Sequence, residues 1–145
     1  MTNSLPPKEH MIAVYEEYLV LAKELMAKCK EMDAHGAGRF RKTAAVMLSP
    51  QGREIINRTA DDCAEMKVRG IKKIPSAYFK NDAGEMDPAM AQATVEMKNA
   101  LSFFNQQLGV GMAVFALGVK SGMALRRAGI KPIHSKLFAA PVLHP

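Results

Sequence analysis

Twenty-one consecutive residues, 99–119, carry no charge. Lys120 interrupts the run, and Arg126 with Arg127 closes it. A helix needs about 20 predominantly apolar residues to cross a bilayer. Residues 101–125 are therefore predicted to form a somewhat polar membrane-spanning helix. Asp87-Pro88, upstream, is a helix-start signal: an acceptor side chain at the cap, then a proline whose missing N–H costs nothing at the first helical position. Asn99, Ser102, Asn105, Gln106, Gln107 and Lys120 make the span less apolar than a typical one. A buried helix of a soluble bundle or oligomer core is the alternative, since such a helix is also apolar all round.

A seven-residue period runs through the stretch. Met90, Met97, Phe104, Gly111, Gly118 and Leu125 recur in one row, and Thr94, Leu101, Leu108, Phe115 and Gly122 in another. The unbroken phase predicts one continuous helix over 87–130, roughly 60 Å long. A heptad stripe is the seam of a helix packed along another helix. Gly118-x-x-x-Gly122 has the small-residue spacing that lets membrane helices approach closely. Gly111, Phe115, Gly118 and Gly122 are thus the predicted helix-packing residues. Lys120, Arg126, Arg127 and Lys131 are the predicted contacts to lipid or to an anionic partner.

Helix formers dominate the 145 residues, aromatics are 6%, and Trp is absent. This composition predicts an all-α fold. The net charge of +6 is uneven: residues 1–98 hold 15 Lys/Arg against 14 Asp/Glu, while 99–145 hold five Lys/Arg and no carboxylate. Cations gather on the cytoplasmic or matrix-like side of a span. The C-terminus is expected there, on the membrane-spanning reading, beside anionic headgroups. Nucleic-acid binding by the tail is disfavoured: the whole of 99–145 has only five Lys/Arg, and Phe138 is the one aromatic of 131–145.

The chain divides into a helical N-terminal region with an irregular connector (1–86), the long apolar helix (87–130), and an extended basic and apolar tail (131–145). A two- or three-helix unit is expected first. Helix 7–33 carries the stripe Met11, Tyr15, Tyr18, Ala22, Leu25, Cys29 and Met32. After the Gly36-Ala37-Gly38 turn, helix 39–48 is expected to bury Phe40, Ala44 and Met47. Its Arg39, Arg41 and Lys42 face solvent or an anionic partner. Ser49-Pro50 starts helix 50–68. There Ile55, Ile56, Ala60, Cys63, Ala64 and Met66 are expected inside, and Arg53, Glu54, Arg58, Asp61, Asp62 and Glu65 outside. The apolar tail is expected to lie along a partner.

No reaction is named by any motif. A P-loop, G-x-G-x-x-G and G-x-S-x-G are all missing. Glu31 and His35 lack a third ligand nearby, so no metal site is expected. Asp61, Asp62 and Glu65 share a helical side, but acid–base work needs an enclosing pocket and a raised pKa. They are read as solvated. Cys29 and Cys63 are read as buried free thiols. Val14-Tyr15-Glu16, Leu21 and Arg39-Phe40-Arg41 faintly resemble the three-helix LYR-motif proteins of mitochondrial complexes. Val and Glu replace the Leu and Arg of the defining triplet, which leaves the family unassigned.

The leading expectation is a non-catalytic accessory subunit of a membrane complex of respiratory-chain or ATP-synthase type. Its partners would be other subunits and membrane lipids, without a cofactor, in a membrane such as the mitochondrial inner membrane. The alternative is a soluble helical binding module, an oligomeric adaptor or chaperone.

Overall fold

The computed structural model describes residues 5–108, 119–120, 122–124, 126–129 and 135–138. Its helices are α1 (Lys8–Ala34), α2 (Arg39–Leu48), α3 (Pro50–Val68) and α4 (Pro88–Leu108), with a 3₁₀ turn at Ser76–Phe79. The fold is all-α: among the described residues the only extended pairing is an isolated bridge between Lys80 and Met86.

Punctuation residues set the joints. Gly36 has φ of 73°, a conformation open to glycine at little cost, and reverses the chain after α1. Ser49 serves two helices at once. Its hydroxyl donates to the Val46 carbonyl at 2.7 Å and accepts from the Gly52 N–H at 3.0 Å. Gly52 is required there, because a Cβ would collide with the Val46 carbonyl oxygen. Asp87 opens α4 by accepting from the Ala89 N–H at 3.0 Å.

α1 is the central element and packs on α2, α3 and α4. Its buried face is Met11, Ile12, Val14, Tyr18, Leu19, Ala22, Leu25 and Cys29. The predicted stripe is largely this face, with Tyr15 and Met32 only half-buried. From α4, Met90, Ala93, Ala100, Phe104 and Leu108 close the core.

Two helices depart from their sequence-based faces: α2 is turned, while α3 buries Ile55, Ala60 and Ala64 as expected but adds polar residues to that face. In α2 the buried residues are Lys42 and Val46, while Phe40 is 87% exposed. Phe40 lies about 200° around the helix from Lys42, so one cannot be buried without exposing the other. Lys42 prevails because its ammonium finds Asp33 Oδ1 at 2.6 Å and Gln107 Oε1 at 2.7 Å. In α3, Arg58, Asp61 and Asp62 are buried rather than solvated.

No helix among the described residues is long and apolar enough to cross a membrane. The expected span lacks that support. α4 is described as far as Leu108, and the middle of the predicted span, 109–118, lies outside the described residues. Beyond that gap, residues 119–120, 122–124 and 126–127 are helical. Gly122 is buried against α3, where a Cβ would meet the Ala60 carbonyl oxygen and lie 3.0 Å from Cys63 Cβ. The neighbour of this packing glycine is therefore a helix of its own chain.

Candidate functional site

A cavity of about 400 Å³ lies between α1, α3 and α4. α1 contributes Tyr15 and Tyr18, and α3 contributes Thr59, Asp62 and Cys63. α4 lays Met90, Met97 and Leu101 along the opposite side, and Leu137 of the tail completes the wall. Thr94 and Lys98 also line it and are exposed, so the cavity opens to solvent along α4. Pockets of about 300–1,000 Å³ with apolar walls and a few fixed polar groups are typical of small-molecule sites.

The polar end is built around Asp62, which is 7% exposed. Tyr18 Oη donates to its Oδ2 at 2.9 Å, and Ser135 Oγ donates to its Oδ1 at 2.8 Å. The Leu137 backbone N–H is a further donor. Burial pushes the Asp62 carboxyl above its ordinary range. The three hydrogen bonds pull it back in part, and nearby Asp61 adds to the rise. No cation lies within ion-pair distance of Asp62 among the described residues.

Arg58, one turn earlier, does not fill that role. It donates to Glu54 at 3.0 Å and to Glu17 at 3.3 Å, and its guanidinium lies 5.7 Å from the Tyr18 ring centre. Burial, then Asp62, raises the Tyr18 and Tyr15 hydroxyls. The same two causes push the Cys63 thiol up. A nucleophilic cysteine needs the opposite shift.

The tail holds this end shut. Lys136 reaches Glu17 at 3.6 Å, its carbonyl oxygen is 2.6 Å from His10 Nε2, and Leu137 is buried. Arg69 lies over the Phe138 ring at 4.7 Å. Residues 135–138 thus lie on α1 and α3 of their own chain; the rest of the tail expected along a partner, 131–134 and 139–145, lies outside the described residues. The apolar Leu137 is covered within the fold.

Of the predicted helix-packing residues, Gly111, Phe115 and Gly118 lie outside the described residues, as does Lys131. Gly122 packs as described above. Lys120, Arg126 and Arg127 are exposed. Cys29 and Cys63 are free, and no group of His, Cys, Asp or Glu among the described residues could hold a metal ion.

Sequence reasoning missed Asp62. A signal was available: Asp62 follows Ile55 by seven residues, and Arg58 follows it by three. Those spacings place both on the core face of α3. No family model, curated protein or solved structure matches the chain significantly, so the resemblance of α1 to LYR-motif proteins gains nothing from them.

Proposed function

We propose that the protein is a non-catalytic helical binding module that takes an apolar group into the cavity between α1, α3 and α4. The observation that carries this reading is the cavity itself: about 400 Å³, walled by apolar side chains, and open beside Lys98. An unfilled apolar volume of this size costs stability, because its lining loses packing partners. Met90 and Met97 give it an adaptable wall. Cys63 in that wall supplies a built-in reporter. An occupant should slow alkylation of Cys63 by iodoacetamide in the full chain. Met97→Trp should fill the space and abolish that protection while helix content stays unchanged. Failure of small apolar compounds to protect Cys63 or to raise the melting temperature would contradict the reading.

A role as an accessory subunit at a membrane is the second reading. Exposed Lys120, Arg126 and Arg127 favour it, since they offer a basic face to anionic headgroups. Carbonate extraction of membranes, with the full chain against one ending at Lys98, tests it. Retention of the full chain alone in the pellet supports an integral helix, and release of both contradicts one.

A further inference from the structure

The cavity has one fixed charge, and that charge lacks a counter-ion among the described residues. Asp62 is 7% exposed and is tied by Tyr18, Ser135 and the Leu137 amide, all neutral donors. A carboxylate has about four lone-pair sites, so an acceptor position stays open. Burying a carboxylate is costly unless it is paired as well as hydrogen-bonded. The Tyr15 ring stands in the same wall, and such a ring attracts a cation at its face; the Tyr18 ring already has Arg58 5.7 Å from its centre. Arg58 pairs with Glu17 and Glu54, keeps a buried Nη1 without a hydrogen-bond partner among the described residues, and neither pairs with Asp62 nor lines the cavity. Lys98, the lining residue of opposite sign, is exposed, where solvent and salt screen it.

We infer that the cavity binds an amphiphilic amine: an apolar alkyl or aryl body against Met90, Met97 and Leu101, with an ammonium head at Asp62. This rests on the binding-module reading and names the class of ligand. A fixed, desolvated carboxylate selects for charge. A neutral ligand of equal size fills the same apolar volume but leaves Asp62 unpaired. An anionic one meets it as a like charge.

The test compares octylammonium, octanol and octanoate on the full wild-type chain. The readout is the concentration of each that halves the rate of Cys63 alkylation by iodoacetamide, with the modified peptide identified by mass. Octylammonium should act at a concentration at least about tenfold below octanol, the scale of a charge-assisted hydrogen bond. Octanoate should be the weakest. In Asp62→Asn, octylammonium and octanol should become equal. If that variant fails to fold, the ligand series on the wild type still decides. Equal protection by octylammonium and octanol in the wild type would overturn the ammonium assignment and leave cavity binding intact. Strongest protection by octanoate would overturn it in favour of Lys98. No protection by any of the three would overturn both the assignment and the binding reading.

Discussion

Lys42 and Asp62 are both buried charges on short helices packed against α1, yet they are satisfied in opposite ways. Lys42 meets an opposite charge, Asp33, and a neutral acceptor, Gln107. Its ion pair ties the C-terminal end of α1 to α2, and its second bond reaches α4. Among the described residues Asp62 meets only neutral donors, and it lies in the wall of an open space. The first arrangement is complete within the chain, as a structural ion pair is. The second has donors for most of its lone pairs and, among the described residues, no compensating cation, which is the pattern of a site prepared for something else. A buried charge alone therefore says little about function; the charge of its partners says more.

The largest change to this contrast should come from Gly122→Leu. The added side chain meets the α3 backbone at Ala60 and the side chain of Cys63, next to Asp62. A loss of about 3 kcal/mol in urea unfolding is expected. Faster alkylation of Cys63 should accompany it as the segment lifts from α3.

Lys42→Ala breaks the completed pair and should cost about 2 kcal/mol. That is below the 3–5 kcal/mol or so of a fully buried pair, because the Asp33 side chain is 42% exposed and can rehydrate. Lys42→Met should cost less, since it keeps the packed stem. Equal losses in the two variants would show that the charge, not the stem, holds the joint.

Tyr18→Phe removes one of the donors to Asp62 and should cost about 1 kcal/mol. It should also raise the Asp62 carboxyl further, because that hydrogen bond favours the ionised form.

The smallest effect at neutral pH belongs to Asp62→Asn, within about 1 kcal/mol of wild type, because the amide keeps acceptor capacity and removes the desolvated charge. The sharper observable is the pH dependence of the difference. The folded-state pKa of Asp62 lies above its unfolded value, so the native state binds the proton more tightly. Its contribution to stability is fully present below the ordinary carboxylate range and is lost as pH rises through the raised value. Wild-type stability relative to Asp62→Asn should accordingly fall with rising pH across that window. A difference that grew with pH would mean that Asp62 is paired with a cation.

Helix boundaries were the most legible part of the sequence. Gly36, Ser49-Pro50 and Asp87-Pro88 act through their own backbone geometry, so they mark ends wherever the helices later pack. The faces of α2 and α3 were less legible. A ten-residue helix offers barely three turns, and in α2 the apolar Phe40 outweighed Lys42 on sequence evidence alone. What turned the helix was Asp33 and Gln107, one on α1 and the other 65 residues along the chain from Lys42. Asp62 was hidden by its chemistry: a carboxylate among Arg58, Asp61 and Glu65 reads as a solvated face until Tyr18 and Ser135 are brought to it. The cavity was not legible, because it arises where α1, α3, α4 and Leu137 fail to fill the space between them. The spanning helix rested on a run whose middle lies outside the described residues. The stretch of that run within α4, residues 99–108, buries Ala100, Phe104 and Leu108 in the core of its own chain.

An NMR titration of the Asp62 side-chain carboxyl, with and without octylammonium, tests the site at its one buried charge. A midpoint above the ordinary carboxylate range is expected in the free protein, moving down when octylammonium occupies the cavity. A midpoint within or below the ordinary range in the free protein, unmoved by octylammonium, would contradict that expectation.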